Sequence, residues 1–144
     1  MYKRILVPLD GSELSEAVLP HAEALAQSEH AQIILLRVPT MPASDFLAQD
    51  PLIAAMIRDD VRAEAEKYVE DKVAALRKDN VEVSGMTREG LVPDMILRVA
   101  DETHADIIAM STHGRTGVSR WLLGSVADKI VHHAHIPVML VHPN

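Results

Sequence analysis

Cysteine is absent from the 144 residues, which removes disulfide frameworks, thiolate metal sites and cysteine nucleophiles from consideration. An excess of positive charge is also missing. The formal net charge of −7 disfavours non-specific binding to DNA, RNA or anionic lipid. Any anion the chain holds must be held locally, against its overall field. No apolar run approaches the roughly 20 residues needed to span a bilayer. The run at 5–8, directly after Met1-Tyr2-Lys3-Arg4, is too short for the apolar core of a signal peptide. That run reads as a strand, and the chain as cytoplasmic. Repeats, low-complexity segments and domain-sized linkers are lacking, so one domain over residues 1–144 is expected. With 48% hydrophobic and 24% charged residues, the composition is that of an ordinary globular protein able to bury a core.

What is present is an alternation of two patterns. Residues 5–7 are β-branched-rich and stop at Pro8 and Asp10-Gly11, as a buried strand does. Ser12 is then placed to cap a helix with Glu13 and Glu16 in its first turn. Leu14, Ala17, Val18, His21, Ala22, Leu25 and Ala26 recur at helical spacing past Pro20, which predicts a kinked helix rather than two. Residues 32–38 form a second apolar run, as in a parallel strand covered on both faces. Residues 39–51, with three prolines, read as a partly mobile loop. Residues 52–80 lack Gly and Pro and are rich in Ala, Glu, Lys and Arg, giving one long helix or two joined. A third strand is expected over 81–87 near a sheet edge, a helix from Pro93 to about Thr103, and a fourth strand over 106–111. A last helix over 125–134 and a last strand over 137–142 complete the chain. This succession predicts an α/β fold: a doubly wound five-stranded parallel sheet of order 3-2-1-4-5 with helices on both faces. Its topological switch falls between strands one and four.

Ligands of such sheets bind outside the carboxyl ends of the strands that flank the switch. Two segments lie there: residues 8–12, and the long connection 111–125. Glycines in the second allow backbone N–H groups to turn toward a phosphate, and a helix start adds free amides and partial positive charge. Ser125 is placed to cap that helix, to give its hydroxyl to a phosphate, or to alternate between the two. Asp10 has two readings, a ligand at the switch or a turn residue stabilising the entry to the helix.

The string S-T-H-G-R-T-G-V-S-R-W-L-L-G-S over 111–125, with I-L-V-P-L-D-G-S-E-L-S-E-A over 5–17, closely resembles the universal stress protein family, and the likeness covers essentially the whole chain. Nucleotide-binding members of that family carry Gly, two residues, Gly, nine residues, then Gly followed by Ser or Thr. Gly114, Gly124 and Ser125 fit that spacing, whereas Ser111 replaces the first glycine. The resemblance implies a Rossmann-like module in stress response or signalling that binds ATP or AMP with little or no turnover. It implies that Asp10 meets the ribose hydroxyls or a nucleotide-bound divalent ion such as Mg or Mn. Pro8 and Leu9 would flank the adenosine, and the Val38 backbone would bond the adenine edge. Met110, Ser111 and His113 would line the pocket, while Gly114, Gly124, Ser125 and Val126 would face the phosphates. Leu9 stands where some ATP-binding relatives have a small hydroxyl residue. The resemblance also implies a homodimer through the last strand, whose apolar edge over 138–141 favours pairing.

Other readings compete. A homodimeric interaction module that binds no nucleotide draws on Ser111 and Leu9. An enzyme hydrolysing ATP would need a water-positioning base that is not recognisable, and no catalytic residue is assigned. His113 lacks a nucleophile with a third orienting group, so pocket lining suits it better than catalysis. His132 and His133 are adjacent on a helix and point to different faces, so with His135 and His142 they do not read as a metal site. Arg115 and Arg120 could approach phosphates, although such arginines are usually solvated. A receiver domain shares the sheet order but requires an aspartate ending strand three and a lysine ending strand five. Met86-Thr87 and Val141-His142 stand there instead.

Overall fold

The computed structural model describes residues 1–41, 50–114 and 123–143. Its elements in chain order are β1 (Arg4–Leu9), α1 (Glu13–Glu16), α2 (Leu19–Glu29), β2 (Gln32–Arg37), α3 (Pro51–Arg77), β3 (Val83–Thr87), α4 (Val92–Glu102), β4 (Ile107–Ser111), α5 (Ser125–His133) and β5 (Val138–Val141). The strands form one parallel sheet in the order β3-β2-β1-β4-β5, as the alternation of patterns predicts. β1 sits at its centre, with Ile5 opposite Ile33 on one side and Ile107 on the other.

Successive side chains of a strand point to opposite faces, so each uniformly apolar run feeds two cores. Ile5, Val7, Ile33, Leu35 and Ile107 pack against Leu19, Ala22 and Ala26 of α2 and Val69, Val73 and Leu76 of α3. Leu6, Ile34, Leu36, Ile108 and Met110 pack against Met95, Ile96 and Val99 of α4 and Ala127 and Ile130 of α5. Burying such chains on both faces contributes on the order of 1.5–3 kcal/mol each.

Pro20 departs from expectation. The chain makes two helices, α1 ending at Glu16 and α2 beginning at Leu19 with Pro20 in its first turn. Proline has no N–H to donate to the carbonyl four residues back, and its ring collides with that carbonyl. It is tolerated at a helix start, where the amide would be unpaired anyway. α3 is a single helix of 27 residues, resolving the choice between one and two. Asp50 caps it, accepting from the N–H groups of Leu52 and Ile53 at 3.0 and 3.4 Å. β3 starts at Val83, two residues later than expected, and lies at one edge of the sheet. Strand and helix ends elsewhere differ from the expected ones by up to three residues, the largest difference being the end of α3 at Arg77 rather than residue 80.

Candidate functional site

β1 and β4 end side by side, and the chain leaves them in opposite directions, β1 toward α1 and β4 toward α5. The crevice so formed holds a cavity of about 280 Å³. Its walls include all eleven residues singled out in the sequence: Pro8, Leu9 and Asp10 after β1, Val38 after β2, Met110, Ser111, His113 and Gly114 at the end of β4, and Gly124, Ser125 and Val126 at the start of α5. The connection between Gly114 and Leu123, with Arg115 and Arg120, lies outside the described residues.

Asp10 is held by the turn that follows it. Its Oδ1 accepts from the Ser12 N–H at 2.9 Å and from the Ser12 hydroxyl at 2.5 Å. The Ser12 Oγ in turn accepts from the Ser15 N–H at 3.2 Å, capping α1. The Ser15 hydroxyl donates to the Ser12 carbonyl at 2.9 Å, and its oxygen accepts from the Asp10 N–H at 3.3 Å. Across the crevice, Gly114 lies so close to Asp10 that a Cβ there would overlap its Oδ2. The two halves of the site therefore touch, and a side chain at position 114 would displace the Asp10 carboxylate.

The start of α5 corrects the expectation for Ser125. The N-cap is Gly124, with no side-chain cap, and Ser125 is the first helical residue. Gly124 N–H donates to the Thr112 carbonyl at 2.8 Å, so it is not a donor to a ligand. The first bond of the helix runs from Asp128 N–H to the Gly124 carbonyl at 2.9 Å. Hence the N–H groups of Ser125, Val126 and Ala127 have no acceptor within the helix, as at any helix start. A Cβ at position 124 would stand 2.8 Å from the Thr112 carbonyl oxygen, so the close crossing also demands glycine. Together with the exposed Ser125 hydroxyl, these amides suit a phosphate.

Ser111 and His113 are buried at the end of β4, and the Ser111 Oγ accepts from the His113 N–H at 3.4 Å. Between them stands Thr112, fully buried, with its Oγ1 2.9 Å from His113 Nδ1 and 3.4 Å from His142 Nδ1. Thr112 was not singled out in the sequence, although it lies between two residues that were. Val92 and Ile96 of α4 were also missed as lining, as were Thr40 and Leu36. Val92 and Ile96 sit four apart on one helical face, a spacing that could have paired them. With Val38, Met110 and Val126 they give the cavity an apolar lining.

Arg37, the last residue of β2, is the unexpected member of the site. Its residue is 3% exposed, and its guanidinium lies under Gly11, whose φ of 89° and crowded Cα both exclude a side chain. The guanidinium stacks 5.1 Å from the Tyr68 ring centroid and reaches the largely exposed Glu64 at 3.8 Å. Its Nη1 is buried with no hydrogen-bond partner among the described residues. Burial pushes the Tyr68 phenol well above its ordinary value, and the Glu16 carboxylate that accepts its hydrogen bond at 2.6 Å adds to the rise. Elsewhere, the His132 Nδ1–H donates to the Asp128 carbonyl at 2.7 Å. Among the described residues no three His, Asp or Glu side chains gather as a metal site, and no helix is long and apolar enough to cross a membrane.

Comparison with known proteins gives concordant results. The model of the universal stress protein family matches residues 1–142. Universal stress protein G of Escherichia coli O157:H7 is 33% identical over 145 residues, spanning 98% of this chain and 99% of that one. The solved structure of the Methanocaldococcus jannaschii protein MJ0577 superposes with a TM-score of 0.87 at 28% identity, covering 100% of this chain and 98% of the other. More distant folds include an Arabidopsis thaliana family member with AMP bound, at 20% identity and a TM-score of 0.71 over 99% and 92% of the two chains. An Archaeoglobus fulgidus protein in complex with dAMP follows at 23% and 0.68, over 96% and 97%. A family protein in complex with cAMP stands at 22% and 0.64, over 99% and 98%.

Proposed function

The chain belongs to the universal stress protein family, and from that premise we propose that it is a single-domain module over residues 1–144 that holds ATP or AMP at the switch point and turns it over little or not at all. The observation that carries this reading is the one cavity in which Asp10 and Gly114 meet from opposite sides of the switch, beside the amides of α5. Nucleotide-bound structures of relatives, with AMP, dAMP and cAMP, support an adenine nucleotide as the ligand class.

In this reading the base lies against the apolar wall of Val38, Val92, Ile96, Met110 and Val126, with Pro8 and Leu9 flanking the adenosine. The Val38 backbone bonds the adenine edge, and Asp10 takes the ribose hydroxyls or a nucleotide-bound Mg or Mn ion. Ser111 and His113 line the floor, and the phosphates meet Ser125, Val126 and the backbone near Gly114. Gly124 contributes by letting the chain cross Thr112 closely rather than by donating. No described side chain stands out as a base for an attacking water, which is why holding is favoured over hydrolysis.

The test is to release small molecules from the purified chain for mass spectrometry and to titrate ATP calorimetrically. Adenine nucleotide and a saturable heat are expected, and Gly124→Val, which drives a side chain into the Thr112 carbonyl, should remove both. Absence of nucleotide and of heat from the unaltered chain overturns the reading. We further propose that the chain pairs through β5, whose residues Val138–Val141 are each only half-buried at the sheet edge. Sedimentation of a monomer at micromolar concentration contradicts that pairing.

A further inference from the structure

Resting on the nucleotide reading above, we propose that Ser12 is a positioning residue that sets which oxygen of Asp10 the ribose meets. An aspartate carboxyl rotates broadly about its last torsion unless something pins it. Here Ser12 brings two donors to Asp10 Oδ1, the hydroxyl at 2.5 Å and the N–H at 2.9 Å. With two donors, the acceptor directions of Oδ1 are used. Oδ2 is thereby turned across the switch, toward Gly114.

The Ser12 hydroxyl performs two tasks with its two halves. Its single proton goes to Asp10, and a lone pair receives the Ser15 N–H at 3.2 Å. Ser15 closes the ring by donating to the Ser12 carbonyl at 2.9 Å and accepting from the Asp10 N–H at 3.3 Å. α1 is only four residues long, so the arrangement is more than a cap for a short helix. It ties the carboxylate, the turn and the helix entry into one unit facing the ligand. A hydroxyl donating to a fixed carboxylate oxygen makes a short, strong bond, and a misaimed carboxylate forfeits it. Ser12 consequently acts on ribose hydroxyls through Asp10 and on no other part of the nucleotide.

The experiment measures calorimetric affinities of the full chain for ATP and for 2′,3′-dideoxy-ATP, which has the same charge and base but no ribose hydroxyls. Ser12→Ala should weaken ATP about tenfold, the loss of one charge-assisted hydrogen bond, and leave the dideoxy ligand within about twofold. Ser12→Thr keeps the hydroxyl and should retain the preference for ATP. Ser12→Asp keeps a good helix cap but has no proton for Asp10, so it should lose that preference while remaining folded. In an Asp10→Ala background, Ser12→Ala should cost nothing further. Equal weakening of both ligands by Ser12→Ala and Ser12→Asp, or no weakening of either, overturns the role of Ser12 and leaves nucleotide binding standing. Failure of the unaltered chain to bind either ligand overturns the nucleotide reading itself, and this inference with it.

Discussion

Replacing Arg37 by methionine is expected to stabilise the ligand-free chain, a direction opposite to that of most core substitutions. The Arg37 side chain is 4% exposed, and its Nη1 has no hydrogen-bond partner among the described residues. A buried donor left unmet costs about 1–3 kcal/mol, and more when it carries charge. Against this stand two compensations. Stacking on Tyr68 at 5.1 Å contributes about 1–2 kcal/mol for a desolvated pair. The contact with Glu64, at 3.8 Å and with that carboxylate 63% exposed, adds a few tenths at about the level of a surface pair. Methionine keeps the unbranched stem, adapts to the gap and removes the charge. Apolar replacement of a buried ionic group is often neutral or stabilising by about 1–4 kcal/mol. A net gain of about 1–2 kcal/mol is expected, or roughly 2–6 °C in Tm for a chain of this size. Urea unfolding followed by circular dichroism reads it as a higher midpoint at unchanged slope. A methionine variant less stable than the parent by about 1 kcal/mol or more refutes the reasoning, because it means that the guanidinium is fully compensated where it lies.

Two further outcomes follow from packing and charge. A Cβ at Gly85 would overlap Val69 and stand 2.9 Å from a Val73 methyl, so Gly85→Val should force α3 off β3 and cost about 2–3 kcal/mol in a thermal melt. Asp106 accepts from the N–H groups of Lys3 and Arg4 at 2.7 and 2.8 Å, and these bonds hold its carboxyl below the ordinary 3.8. Its folded form binds a proton less readily than its unfolded form, so its contribution is complete above that ordinary value and is lost as pH falls through the lower folded one. Asp106→Asn should therefore flatten the acid limb of the stability curve, and an unchanged acid limb in the variant counts against the bond pair.

Much of the fold was legible because parallel sheets leave a plain trace. Uniformly apolar runs at β1, β2 and β4 alternate with helical spacing, and right-handed crossovers then fix the strand order. Both halves of the site were legible for the same reason, since the order locates the switch and the switch locates Asp10 and Gly114. What the pattern hid depends on tertiary placement. Pro20 lies within a continuous helical periodicity, and only the missing amide bond at that point divides α1 from α2. Gly124 rather than Ser125 caps α5, because the nearby Thr112 carbonyl already takes the Gly124 N–H. Arg37 ends an apolar run and reads as a strand residue leaving the core. Its burial depends on Tyr68, 31 positions further along, and on the bare Cα of Gly11.

The central place of β1 has a consequence for synthesis of the chain on the ribosome. The first strand to emerge needs partners on both sides, and the clasp of Asp106 on Lys3 and Arg4 joins groups 103 and 102 positions apart. At about 5–20 residues per second, the side of β1 that faces β4 stays unmatched for roughly 5–20 seconds of translation. During that interval Ile5, Leu6 and Val7 form an apolar nascent segment with one open edge. Production of the chain should thus be sensitive to whatever shields such segments in the cell, even where the finished fold is stable.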